Sequence, residues 1–272
     1  MNAANTSKPL LPPLSAHDLK AQPGEELIAF SGLKKAFGPK VIYTGLDLDV
    51  RRGETLTVIG GSGTGKSVLL KCLIGLLRPD GGSIRFDGQE LTRLDEDAFI
   101  PVRRKIAMLF QGAALFDSLS VGENIAYPIR EHFPNCPAGE IADRVAEKLE
   151  MVGLPGIEKM RPSDLSGGMK KRVGLARAIA VDPEVVLYDE PTTGLDPINT
   201  RRINELIVKL NETLHVTSIV VTHDMESAYM VSHRMAMLYN HRILAKGTVA
   251  EMRASEVPEV RNFVRGMVGG ED

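Results

Sequence analysis

The sequence predicts an α/β protein built on an open parallel sheet, and three stretches carry that prediction. Thr55–Ile59 is a short β-prone run, residues 60–67 read Gly-Gly-Ser-Gly-Thr-Gly-Lys-Ser, and residues 68–77 read as an apolar helix. Two later apolar runs, 184–188 and 216–222, end in Asp189-Glu190 and His223-Asp224. Ligands of parallel α/β sheets bind outside the carboxyl ends of the strands. These separated polar residues are therefore expected at one site.

The glycine loop fits the phosphate-binding pattern G-x-x-x-x-G-K-[S/T], with Gly60, Gly65, Lys66 and Ser67 in the fixed places. Glycines allow backbone N–H groups to curl around phosphate oxygens where a side chain would block the approach. Lys66 can then reach the β- and γ-phosphates, and the Ser67 hydroxyl can ligate Mg2+. A helix N-terminus completes the anion site. A plain Gly/Ser turn would match by chance in about one per cent of chains this long.

Length and composition fit the class. The chain has 272 residues, 43% of them hydrophobic, enough for one sizeable core. A formal net charge of -2 carries no basic excess, so nucleic acid is not an expected partner. Lys71 interrupts the most apolar stretch, and no run approaches the roughly 18 apolar residues of a membrane span. With no charged-then-apolar leader, the chain reads as soluble and cytosolic, attached to a membrane only through another protein. Cys72 and Cys136 lack metal-like or paired spacing, and Cys72 reads as core.

Taken in order, residues 1–24 carry Pro9, Pro12, Pro13 and Pro23 among Ala, Ser and Asn, the composition of a disordered lead-in. Residues 25–272 read as a single domain. Residues 27–30 are a strand, and in 46–50 Leu46, Leu48 and Val50 alternate with Asp47 and Asp49. Gly81-Gly82 and Asp87-Gly88 bracket a strand over 83–86, as in a β-meander. The apolar run 106–110 suggests a buried strand. From 112 to about 161 the reading is mostly helical, clearest over 141–151, with Pro128, Pro134, Pro137 and Pro155 expected to interrupt it. This is an inserted helical subdomain spanning about 112–165. Residues 203–214 form an amphipathic helix, and 234–238 and 243–245 flank Asn240-His241 as a hairpin. Residues 258–267 read as a last helix.

Asp189 follows an apolar strand, where a carboxylate is costly unless it is paired or binds an ion. That suits a residue holding Mg2+ through water. Glu190 beside it is placed to orient or deprotonate an attacking water. His223 occupies the equivalent strand end. Ser166 can N-cap a helix running to about residue 180, leaving the N–H groups of Gly167 and Gly168 unobstructed. Such a helix start is a second anion site, about a hundred residues from the first. Its separation suggests that it serves a neighbouring subunit.

Together these residues resemble the ATP-binding-cassette (ABC) ATPases over nearly the whole chain from about Leu27, with every motif in order. Residues 60–67 resemble the Walker A loop, in which Gly60, Gly61, Ser62, Gly63, Thr64, Gly65, Lys66, Ser67 and the following Val68 contact nucleotide. Val185–Asp189 resembles Walker B, and Glu190 matches the catalytic glutamate. Gln111 falls on the Q-loop, which senses Mg2+ and the attacking water, and His223 falls on the switch histidine. Ser166, Gly167 and Gly168 lie in the signature motif, Asp196 lies in the D-loop, and Phe37 sits where the family stacks an aromatic ring on adenine, with Tyr43 nearby. Met169 replaces the usual signature glutamine, and Tyr188 stands where Walker B is usually aliphatic. The resemblance implies a P-loop NTPase (RecA-like) core, an antiparallel β-subdomain and a helical subdomain. It also implies ATP hydrolysis with Mg2+ in a head-to-tail homodimer.

Residues 111–132 further resemble the ATPases that partner MCE-domain lipid transporters of the Mla type. That resemblance implies integral-membrane permease subunits, an MCE-domain substrate-binding protein, room for a small STAS-type accessory subunit, and a peripheral position on the cytoplasmic side of the inner membrane. Other bacterial ABC importers, for amino acids or other small solutes, are the alternative. A soluble ABC protein acting on DNA or ribosomes is a poorer fit, because those relatives carry two cassettes or long coiled coils and basic surface. A phosphate-loop kinase is disfavoured by the signature sequence.

Overall fold

A computed structural model of the chain describes residues 24–266. The expected lead-in lies outside the described residues apart from Gly24, as does the end of the expected last helix at residue 267.

The chain opens with β1 (Glu26–Phe37) and β2 (Lys40–Arg51), paired antiparallel. β1 runs well beyond the expected 27–30. Bulges between Phe30 and Leu33 break its alternation, and there Gly32 N–H donates to Asp47 Oδ1 at 2.7 Å. Next come β3 (Thr55–Ile59), α1 (Lys66–Leu73), β4 (Gly81–Phe86) and the short β5 (Gln89–Glu90). Among the described residues β1, β2, β4 and β5 make one antiparallel sheet, ordered β2-β1-β4-β5.

The helix α2 (Glu96–Lys105) has no counterpart in the sequence reading. Only Phe99 and Val102 of it are buried, so its apolar periodicity is faint. Asp95 caps it by accepting from Ala98 N–H at 2.9 Å. After β6 (Ile106–Leu109) come α3 (Val121–His132) and α4 (Ala138–Met151). Pro128 does not interrupt α3, contrary to expectation. A capping box of Ser120 and Glu123 starts that helix, and Val121, Ile125 and Ile129 bury one face of it. The single N–H that proline lacks is outweighed by this packing.

The remainder is α5 (Gly167–Ala178), β7 (Val185–Asp189), α6 (Pro197–Leu214), β8 (Thr217–Thr222), α7 (Met225–Val231), β9 (Arg234–Tyr239), β10 (Arg242–Thr248), α8 (Val249–Arg253) and α9 (Pro258–Val264). β9 and β10 form the expected hairpin, with Asn240 and His241 at φ 45° and 67°, the left-handed pair that a two-residue turn requires.

The second sheet runs β10-β9-β3-β8-β7-β6, parallel from β9 to β6. Its central strands β3, β7 and β8 are buried along their whole length, which suits their mostly apolar and β-branched residues. Val185, Leu187, Ile219 and Val221 join the cluster that includes α1 and the antiparallel sheet. Val186, Tyr188 and Val220 face a second cluster with α3 to α6. Cys72 is buried in the first cluster. Strands β3, β8 and β7 are adjacent, so the three strand ends singled out above open onto one edge.

Candidate active site

The phosphate loop is shaped by two close approaches. Gly60 has φ 154° and Gly65 φ 109°, and a Cβ on either would come within 2.5 Å of Leu238 O or Ile42 Cγ2 respectively. Gly65 is the N-cap of α1 and brings no side chain to its first turn, whose N–H groups lack intrahelical partners. Its carbonyl is held by the Tyr43 hydroxyl, which donates at 2.6 Å. Tyr43 is buried, and that burial pushes its phenol far above the ordinary range. Tyr43 is thus a prop beneath the loop. Phe37 is about half exposed and lines the cleft above it.

Lys66 is buried, and its ammonium donates to Gly60 O at 2.8 Å and Gly61 O at 3.0 Å. Burial draws its pKa below the usual lysine range, while the Glu190 and Asp189 carboxylates pull it back up. Ser67 Oγ donates to Asp189 Oδ1 at 2.6 Å, bridging the loop to the end of β7. Glu190 is the first residue past that strand and takes a left-handed conformation, φ 47°. Non-glycine residues rarely adopt it, and such strain persists only where surrounding contacts enforce it. Here Glu190 N–H donates to Val221 O at 2.9 Å. Its Oε2 lies 2.9 Å from His223 Nδ1, and its Oε1 lies 3.7 Å from Lys66 Nζ.

One cleft of about 380 Å³ therefore gathers Phe37, Ser62, Gly63, Gly65, Lys66, Ser67, Val68, Gln111, Glu190 and His223. Gly60, Gly61, Thr64 and Asp189 adjoin it through the bonds of the loop and β7. The remaining expected residues are absent from its lining. Ser166 caps α5 by accepting from Met169 N–H, and Asp196 caps α6 by accepting from Ile198 and Asn199 N–H at 3.0 Å. Gly168 packs so tightly on Asn199 that a Cβ there would lie 2.8 Å from its carboxamide.

Oxygen donors for a hard cation are present in Ser67 and Asp189. Among the described residues no group of three or more His, Cys, Asp or Glu side chains could hold a metal alone. A sparse protein donor set suits Mg2+, which takes one or two protein ligands and completes its shell with substrate phosphates and water.

Sequence reasoning passed over Lys171. It is buried on α5, and its ammonium donates to Gln111 O and, at 3.3 Å, to Glu190 O. The only signal was a lysine on the helix face that also carries Gly174. Tyr188 is buried, and its hydroxyl has no hydrogen-bond partner of good geometry among the described residues. Burial raises its pKa, and the neighbouring Ser218 hydroxyl partly offsets this.

A family profile described as "ABC transporter" matches residues 43–193. The chain is 42% identical over 246 residues to the intermembrane phospholipid transport system ATP-binding protein MlaF of Haemophilus influenzae, covering 90% of this chain and 93% of that one. It is 43% identical over 239 residues to the probable ribonucleotide transport ATP-binding protein mkl of Mycobacterium leprae, covering 88% of this chain and 69% of that one. Among solved structures, the ATP-binding cassette MJ0796, a dimer in a post-hydrolysis state bound to ADP and Pi, superposes with a TM-score of 0.76 at 30% identity. That match covers 82% of this chain and 99% of the cassette.

Proposed function

The chain belongs to the ABC transporter family, and on that premise we propose that it is the ATP-hydrolysing subunit of a transporter moving phospholipid between bacterial membranes through a separate permease. The observation that carries the ATPase assignment is Glu190, held between His223 and Lys66 beside the Ser67–Asp189 pair.

When ATP binds, Lys66 exchanges its carbonyl partners for β- and γ-phosphate oxygens, at little cost because the new acceptors carry charge. Phe37 offers its exposed ring to the adenine. Glu190 accepts a proton from the attacking water while His223 Nδ1 fixes its second oxygen. As the new P–O bond forms, the bond from the γ-phosphorus to the bridging oxygen breaks, releasing ADP and phosphate. Ser67 and Asp189, with Gln111 in the lining of the same cleft, would hold Mg2+. When bound, that ion neutralises charge on the β- and γ-phosphate oxygens. Preorganised charge and position do most of the work.

The helix start at Ser166 and Gly168 serves the nucleotide of a second copy, so two chains pair head to tail around two ATPs. The dimeric state of the MJ0796 cassette supports that arrangement. No helix among the described residues is long and apolar enough to cross a membrane. The proposed attachment is peripheral, through the permease on the cytoplasmic side. A groove of about 460 Å³, lined by Leu76, Met108, Phe116, Tyr127, Arg103 and Arg177, suits the permease contact. Phe116 and Tyr127 pair with ring centroids 4.9 Å apart and remain well exposed. An MCE-domain protein and a small STAS-type subunit complete the proposed complex. Residues from about 112 to 165 are proposed as a helical subdomain within a single ABC ATPase domain that begins near residue 25.

Purification in detergent, followed by transfer of labelled phospholipid between phosphatidylethanolamine/phosphatidylglycerol vesicles, tests the cargo. Transfer should require ATP, an accompanying permease and MCE-domain protein, and an intact Lys66. A complex that hydrolyses ATP and carries ribonucleotides while leaving phospholipid in place would overturn the lipid reading in favour of the cargo in the mycobacterial relative's name.

A further inference from the structure

The helix α5 does more than present Ser166. One of its faces is bonded along the segment that follows β6. Lys171 donates to Gln111 O. One turn on, Gly174 packs against Leu109 and Ala113, where a Cβ would come within 3.0 and 3.1 Å. After another turn, Arg177 donates to Ala113 O at 2.9 Å and Ala114 O at 2.8 Å. Ala113 and Ala114 both take left-handed conformations, φ 61° and 49°, so these cationic donors hold a loop that would not rest there unaided.

Lys171 alone reaches across to the second strand end. Its other bond is to Glu190 O, whose residue is also left-handed and is pinned on its N–H side by Val221. The Glu190 peptide is thus gripped at both ends, and one grip comes from α5. Glu190 O also accepts from Thr193 N–H at 3.3 Å, so that turn shares its donors, whereas the Gln111 carbonyl is held by the ammonium, and a buried carbonyl left without a donor is costly.

We propose that Lys171 is a positioning residue for ATP hydrolysis: it fixes the backbones of Gln111 and Glu190 to α5, so that the aim of this chain's own general base follows the helix whose start receives the partner copy's ATP. The linkage rests on the head-to-tail reading above. A displacement of Ser166 by the partner's γ-phosphate moves Lys171, about one and a half helical turns away on the same rigid element, and with it both catalytic turns.

The role requires N–H donors within reach of two neutral carbonyls; it does not require a charge. Lys171→Met keeps the length and removes the donors, whereas Lys171→Gln keeps two N–H donors in a shorter side chain. Steady-state ATPase assays of the full chain should show kcat reduced about tenfold or more for Lys171→Met, with KM for ATP within about twofold. Lys171→Gln should recover to within about threefold of the parent kcat. Unchanged kcat in Lys171→Met overturns the proposal. So does a Lys171→Gln variant that folds yet is impaired tenfold, an outcome that stays informative if the Met variant fails to fold. A parallel rise in KM would assign Lys171 to holding the nucleotide, which also overturns it. Size-exclusion of Glu190→Gln with ATP tests the head-to-tail reading separately: a chain that stays monomeric removes the link to the partner, whatever the Lys171 variants do.

Discussion

The phosphate loop and the start of α5 are both proposed to face phosphate, and they differ in almost every other respect. The loop is complete within one chain: a buried ammonium, a hydroxyl on a carboxylate, and a carbonyl propped by Tyr43. At the start of α5, Ser166 and Gly167 are exposed, the cap is a neutral hydroxyl, and the nearest packing is against the start of α6 and the residues before it, with Leu195 beside Gly167 and Asn199 against Gly168. In the proposed dimer one is a site and the other is half of one. The difference teaches where the energy of each is held. The loop carries charge and can bind alone, whereas the helix start offers only dipole and N–H groups, useful once a second chain brings the phosphate to it.

The contrast can be broken most forcefully at Lys66. Lys66→Ala removes the single cation of the loop and should lower ATP turnover by more than roughly a hundredfold, the scale of losing a preorganised donor. Full turnover in a coupled phosphate-release assay would mean that the loop is not where ATP is read. Glu190→Gln leaves Lys66 to the phosphates and removes the base together with the carboxylate charge 3.7 Å from that ammonium, for a loss of about a hundredfold or more. With hydrolysis stalled, ATP should hold two copies together on size-exclusion, and a variant hydrolysing at the parent rate would take Glu190 out of the base role.

Gly168→Ala addresses the other half. Its methyl would press on Asn199, whose amide is already bonded to Asp196 at 2.5 Å, an overpacking worth about 1–3 kcal/mol. Equilibrium binding of ATP to the single chain should survive while ATP-driven pairing weakens. Loss of both together would show that the two halves are not separable.

The smallest effect lies away from both. Burial tends to raise the Glu90 carboxyl, but hydrogen bonds from Ser83 and Thr92 outweigh it and bring its pKa down to about 2. A group lowered on folding contributes its stability fully above its ordinary value near 4.5, and loses it as pH falls through about 2. Denaturant stability should therefore soften between pH 4.5 and 2 in the parent and less so in Glu90→Gln, with both phosphate-facing regions unaffected at pH 7. A Glu90 carboxyl titrating near 4.5 by NMR would contradict this.

Much of this was legible in the residues themselves. Thr55–Ile59 has the bounds expected of it, because every position but Leu56 is β-branched, the composition that favours a strand. The glycine loop was legible because its backbone can be followed only by glycine at Gly60 and Gly65. The helix α2 was not, since two buried side chains leave too little periodicity to read, and the far half of β1 was hidden by its bulges. The persistence of α3 through Pro128 was equally out of reach, because it rests on packing by Val121, Ile125 and Ile129 against other elements.

The sequence by itself determined the chemistry available: a phosphate-binding loop, a carboxylate pair, a histidine and a capped helix start in fixed order. Only the tertiary structure decided who meets whom. Strand order places Glu190 against His223 and Lys66, buries Tyr43 while leaving Phe37 at the cleft, and sets Lys171 across two turns more than a helix length apart in sequence. The physical reason is range. Loop chemistry and capping act over a few residues and leave a local signature, whereas the pairing of β3, β8 and β7 and the docking of α5 depend on burial shared between segments tens of residues apart and, for β3 with β8, well over a hundred.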